Sequence, residues 1–183
     1  MHRENNKATC RRFIQRIFNE GDLSSIGDFI SPNSHQHEIE NWSMPAGRSP
    51  ERLADMIRLY RRAFPDLRLE IQDQIAENDR VVTCLRMKGT QNGPLLGIGA
   101  SGKPVDVTGI RIDHLDNGKI TESWFHWDGL EMLQQMGALP RLARNPQTAP
   151  WANKSIPLPA VVPFAAPAET ERPPAAARLR PAA

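Results

Sequence analysis

Residues 105–127 read VDVTGIRIDHLDNGKITESWFHW, and this run decides the fold class. Asp116-Asn117-Gly118 stands between two stretches, 105–115 and 119–127, in which apolar residues alternate with polar ones. Asn-Gly tolerates the positive φ of a tight turn, so the run reads as a β-hairpin. The same period of two continues upstream. Leu67, Leu69, Ile71 and Ile75 alternate with polar residues, Asn78-Asp79 makes a turn, and residues 80–89 carry Val82, Leu85 and Met87 on a further strand. Gly97-Ile98-Gly99-Ala100-Ser101-Gly102 spells G-x-G-x-x-G, but Lys103-Pro104 and a strand follow it rather than a helix. A dinucleotide loop needs a helix there, so the segment reads as a flexible loop at a pocket mouth. Downstream, residues 129–136 form a short helix that ends at Gly137.

Before residue 65 the period is helical. Asn5 and Asn6 cap a helix whose apolar residues Cys10, Phe13, Ile14, Ile17 and Phe18 recur at three and four, ending near 19–22. A short helical piece over 23–30 is stopped by Pro32, and an extended stretch, 34–42, follows. Ser49-Pro50-Glu51-Arg52 caps another helix, with Leu53, Met56, Ile57, Tyr60 and Phe64 on one face and Pro65 as its stop. Helices first and a run of antiparallel strands afterwards make the chain α+β rather than α/β.

The 183 residues divide into a folded domain over 1–140 and a tail over 141–183. The tail holds nine prolines and many alanines, carries nothing periodic to bury, and is expected to be disordered. It has six basic residues against two acidic ones, while the remainder has 17 basic against 19 acidic. A faintly acidic domain is a poor phosphate binder, so no nucleic-acid partner is expected. Cys10 and Cys84 show no Cys-x-x-Cys pattern and read as buried thiols. No apolar run reaches the ~18 residues of a membrane span and the N-terminus has no apolar signal region, so no membrane partner and a cytoplasmic location are expected.

Short words spread along the domain carry a resemblance. They are Ala63-Phe64-Pro65-Asp66-Leu67, Asp79-Arg80-Val81, Gly89-Thr90 with Gly93, and Gly102-Lys103-Pro104-Val105. Gly118-Lys119-Ile120 with Glu122 and Trp124, then Asp128 with Leu133, Gln135 and Gly137, complete them. In this order the chain resembles the SnoaL-like polyketide cyclases, or ester cyclases, of the nuclear transport factor 2-like superfamily. The resemblance implies a cone-shaped, curved antiparallel sheet wrapped around N-terminal helices, with an apolar cavity in its mouth. It also implies acid/base ring closure on a small hydrophobic carbonyl substrate, no cofactor, and a homodimer.

Strand alternation puts Glu122, Trp124, His126 and Asp128 on one face of the last strand, a face that combines carboxylates, imidazole and indole. Proton transfer to and from carbon needs groups of this kind in a dry setting, so His126 and Asp128 are the expected acid/base pair. Asp128 also suits the cap of the final helix. One register of the resemblance sets the family's acid at Phe125, and then the chemistry passes to His126 or Asp128 or is absent. His37, Trp42, Phe64, Met87, Leu96, Arg111, Glu122 and Trp124 are expected to line the substrate pocket, with either Arg111 or His114 turned inward by a bulge. His35 and His37 share a face, but no third and fourth ligand stands at a helpful spacing, so no metal is expected. Two further readings keep the pocket: a hydrolase or isomerase, and a non-catalytic binding or oligomerisation module.

Overall fold

A computed structural model describes residues 2–37, 47–48 and 50–141. Met1–Arg141 form one compact unit. The expected disordered tail and Trp42 lie outside the described residues.

Helix α1, His2–Phe13, continues into a wider π-helical turn, Ile14–Asn19. Cys10, Phe13, Ile14, Ile17 and Phe18 are buried along one side, as the spacing predicts. The helix ends at Gly21, at φ 74°, where the Asp22 N–H returns to the Arg16 carbonyl at 3.1 Å, and side chains reinforce that end. Arg61 donates to the carbonyls of Phe18 and Asn19 at 2.7 and 3.0 Å. The Asn19 amide exchanges two hydrogen bonds with the backbone of Leu69 on strand β3, Arg68–Glu77, at 3.0 and 2.7 Å. β3 is an edge strand, so these bonds satisfy peptide groups that no neighbouring strand reaches.

The segment expected to be helical over 23–30 is shorter. A 3-10 turn, Leu23–Ser25, and a single helical turn, α2 (Ile26–Phe29), lead directly into β1, Ile30–His37. Pro32 therefore lies inside a strand instead of ending a helix. It is tolerated because the register of β1 against the last strand, β6 (Lys119–Trp127), breaks between Ile30 and His35, where a missing N–H costs no ladder bond. A two-residue strand β2, Gly47–Arg48, pairs with β1, and α3, Pro50–Ala63, follows.

Strands β3 (Arg68–Glu77), β4 (Arg80–Thr90), β5 (Pro104–Asp116) and β6 (Lys119–Trp127) form the meander that the alternation predicts. Asn78 and Asn117 adopt positive φ at its turns. The full order is β2-β1-β6-β5-β4-β3 in a curved, unclosed sheet. The expected curved antiparallel sheet is present in β3 to β6, and β1 joins it by running parallel to β6. The two are joined through most of the domain rather than by a hairpin, so no turn forces them to oppose.

Helix α4, Gly129–Met136, closes the unit. Asp128 caps it by accepting from the Glu131 N–H at 2.9 Å, and Gly137 ends it at φ 82°. Its Gln135 amide bonds both backbone groups of Asp106, at 2.6 and 3.0 Å, which fixes the helix against β5.

Candidate functional site

The sheet has one face covered by helices and one outer face, and strand alternation assigns each residue to one of them. On β1, Ser34 and Gln36 are buried under the helices while His35 and His37 are half-exposed. On β5, Arg111 and Asp113 face inward, and on β6 Ser123 does. Phe125 and Trp127 follow Ser123 on that side and pack against the core.

Arg111, Asp113 and Ser123 make one buried unit. The guanidinium forks onto the Asp113 carboxylate, Nε to Oδ2 at 2.9 Å and Nη2 to Oδ1 at 2.7 Å. Nη2 also donates to Ser123 Oγ at 2.7 Å, and the Ser123 hydroxyl donates to Asp113 Oδ1 at 2.6 Å. Arg111 and Asp113 are 1% and 0% exposed. Such a pair persists in a low-dielectric interior because each charge is neutralised and its hydrogen-bonding atoms are occupied. The guanidinium carbon lies 4.9 Å from the ring centre of Phe13 and 5.8 Å from that of Phe125. Burial pushes the Cys10 thiol on α1 well above its ordinary range, and the Asp113 carboxylate pushes it further, against the opposing pull of Arg111.

On β1 are two buried polar groups with no partner among the described residues. Gln36 is the register neighbour of Ser123 on β1, and its Nε2 is buried and unpaired, as is the hydroxyl of Ser34. An unmet buried donor carries a desolvation cost of about 1–3 kcal/mol, and a bound polar atom would remove it. Toward the end where β6 finishes and β5 begins, the surroundings become apolar. Phe125 and Trp127 meet edge to face, with centroids 4.5 Å apart, and Trp127 covers Gly109 so closely that a Cβ there would overlap its ring. Tyr60, Leu96, Ile98, Phe125, Trp127 and Leu133 pack on the core while keeping part of their surface exposed.

The outer face carries a second group of side chains. His37 Nε2 lies 2.7 Å from Glu122 Oε1, and His114 Nδ1 lies 3.3 Å from Glu122 Oε2. The His37 ring stacks on Trp124, with centroids 4.3 Å apart and planes 2° from parallel. The hydrogen bond from His37 holds the Glu122 carboxyl below its ordinary value, assisted by the charges of His37, His114 and His35.

These placements correct several sequence expectations. Glu122, Trp124 and His126 share a face as alternation predicts, but it is the outer face, and His126 is exposed on it. Asp128 is exposed and spends its carboxylate on the α4 cap. The expected acid/base pair is therefore not brought to the helix-covered face. His37 points outward with Glu122 and Trp124, whereas Arg111 turns inward and His114 does not. Phe64 and Met87 are fully buried core residues, and Leu96 lies half-buried in the β4–β5 loop at φ 54°. The sequence reading missed Asp113, Ser123, Ser34 and Gln36. The alternation that assigned Ser123 and Phe125 to the opposite face was the usable signal, but polar residue types pointed to the other side.

An unclosed α+β half-barrel, with helices against one face of its sheet and partly exposed apolar side chains at one end, is an architecture of small-molecule pockets. A family model for SnoaL-like polyketide cyclases matches residues 8–136, and the chain belongs to that family. Among solved structures it is similar to TsrD from Streptomyces laurentii, at 28% identity and TM-score 0.67 over 75% of this chain and 98% of that one. It is also similar to AclR from Streptomyces galilaeus, given as a candidate hydroxylase, at 27% identity and TM-score 0.66 over 76% and 85% of the two chains. For IdmH from Streptomyces antibioticus, given as a candidate polyketide cyclase, the values are 26% and 0.64 over 72% and 98%. No curated protein matches the chain. No helix among the described residues is long and apolar enough to cross a membrane.

Proposed function

We propose that the chain is a cofactor-independent, cyclase-type enzyme that binds a small hydrophobic carbonyl compound against the helix-covered face of its sheet. The observation that carries the reading is the unpaired Gln36 amide N–H beside the Ser123–Asp113–Arg111 unit. Gln36 donates to the substrate carbonyl, and apolar side chains toward Phe125 and Trp127 hold the rest of the molecule. Ring closure removes a proton from an activated carbon, joins that carbon to a carbonyl carbon, and returns a proton to the new alkoxide. The Ser123 hydroxyl relays the proton to and from Asp113. Arg111 balances the charge that develops nearby, where low dielectric makes its field strong. The product is an isomer of the substrate.

Membership of the cyclase family supports the reaction class, and the similarity to IdmH supports a polyketide-like substrate. The test is incubation with a panel of aromatic β-keto esters, followed by chromatography and mass spectrometry. Cyclisation leaves the mass unchanged, whereas ester hydrolysis takes up one water and releases the alcohol, leaving a lighter acid. Ser123→Ala and Gln36→Leu are each expected to lower turnover about 100-fold or more, the usual worth of a positioned proton carrier and of a positioned donor to the developing oxyanion. Unchanged turnover in a folded Ser123→Ala protein overturns the mechanism.

A second reading, a binding module without turnover, is favoured by one observation. Phe125 stands on the inner face of β6, where one register of the family resemblance sets an acid. Saturable ligand binding with no product from any panel member selects it.

A further inference from the structure

We propose that His35, His37 and Glu122 form a binding site for one divalent transition-metal ion of the zinc type on the outer face of the sheet. In the sequence Glu122 lies 85 positions beyond His37, and the parallel pairing of β1 with β6 brings it to the two histidines by setting His35 beside Glu122. One ligand atom from each of the three lies within 4.8 Å of the other two. The imidazole rings of His35 and His37 have centroids 4.0 Å apart.

Two imidazoles and a carboxylate are a donor set for zinc and its neighbours rather than for calcium or magnesium, which prefer oxygen. A tetrahedral ion with bonds of about 2.0 Å keeps its ligand atoms about 3.3 Å apart, so small side-chain rotations close the existing cluster onto it. Two features preorganise it. Trp124 stacks flat on His37 and limits that ring's rotation, and His114 holds Oε2 of Glu122, leaving Oε1 toward His37. Partners of this second kind orient metal ligands and tune their basicity, and His114 is a positioning residue here. The cluster is half-exposed, which gives the ion an entry path and leaves its fourth position to water. It stands apart from the Arg111 unit, on the other side of the sheet, so it is independent of the proposed substrate site.

The test uses the full chain without a histidine tag, stripped with chelator and titrated with zinc by calorimetry, and with cobalt by visible absorption. The expected result is one ion per chain, with cobalt bands of a low-coordinate nitrogen and oxygen site. His35→Ala, His37→Ala and Glu122→Gln are each expected to weaken zinc binding at least tenfold, with the metal-free melting temperature of each variant as the control for folding. His114→Ala is expected to weaken binding about tenfold while keeping the form of the cobalt spectrum. His2→Ala and His126→Ala, which remove the remaining imidazoles of the chain, are expected to bind as wild type does. Absence of zinc binding in wild type at micromolar concentration overturns the proposal, and so does binding that survives His35→Ala combined with His37→Ala. If an alanine variant does not fold, His35→Gln and His37→Gln replace it with the same expected losses.

Discussion

Replacing Asp113 by Asn keeps the shape of the side chain and removes its charge, leaving the Arg111 guanidinium at 1% exposure without a counter-ion. Three charge-assisted hydrogen bonds weaken together: two from Arg111 and one from the Ser123 hydroxyl. The ring faces of Phe13 and Phe125 recover part of that loss, about 1 kcal/mol for a partly desolvated cation near aromatic rings. Breaking a buried pair by removing one partner costs about 3–5 kcal/mol, a large share of the roughly 5–15 kcal/mol that holds a domain folded. Unfolding entropy of about 2.1 cal/mol/K per residue turns this loss into a fall in Tm of about 10–17 °C for a unit of this size. Urea unfolding followed by far-UV circular dichroism is the assay, with an unchanged slope expected and a lower midpoint. Arg111→Met combined with Asp113→Leu removes both charges and is expected to lie closer to wild type than Asp113→Asn does. A loss below about 1 kcal/mol for Asp113→Asn would refute the reasoning that the pair is buried and mutually dependent.

Three further outcomes follow from other parts of the molecule. Gly109→Ala forces the Trp127 ring off its seat and is expected to cost about 1–3 kcal/mol, read as a lower urea midpoint, because the added Cβ meets that ring and the His126 carbonyl. Cys84, half-buried on the outer face, is expected to react with a thiol reagent in the native protein at neutral pH, while Cys10 reacts only on unfolding because burial raises its thiol; equal rates for the two would contradict this. Asp66 accepts from the backbone N–H and the hydroxyl of Thr90, at 2.7 and 2.8 Å, and the backbone bond above all holds its carboxyl below the ordinary value. A depressed folded value means stability that is present above the ordinary carboxylate range and lost as pH falls through the lowered value. Asp66→Ala is therefore expected to cost roughly 0.5–1.5 kcal/mol near pH 7, with a gap to wild type that narrows as pH falls through the lowered value. A gap independent of pH would show that the ionised carboxylate is not the cause.

The sequence was legible wherever structure is local. The hairpin at Asn117, the turn at Asn78, the cap at Asp128 and the stop at Gly137 all depend on backbone conformations that single residue types impose. Alternation also sorted the last strand into its two faces correctly. It could not say which face the helices cover, because Glu122, Trp124 and His126 against Ser123, Phe125 and Trp127 is nearly balanced in polarity. A buried Arg–Asp pair reverses the ordinary rule that charge marks the outside, so Arg111 could be expected inward only as an alternative to His114, and β5 gave no warning at Asp113. Pro32 reads as a helix stop in sequence, whereas an irregular strand register accommodates it. Glu122 could not be joined to His35 and His37 from spacing, since a parallel pairing between distant strands leaves no local trace.

Benzophenone is itself a small hydrophobic carbonyl compound, and on illumination it bonds to the side chains around it, so peptide mapping of the adducts locates where such molecules sit. The account predicts saturable labelling of Phe125, Trp127, Tyr60, Leu96 and Ile98, reduced by a competing β-keto ester and weakened in Gln36→Leu. Labelling confined to the exposed outer-face residues Ile75 and Ile110, with no competition, would contradict it.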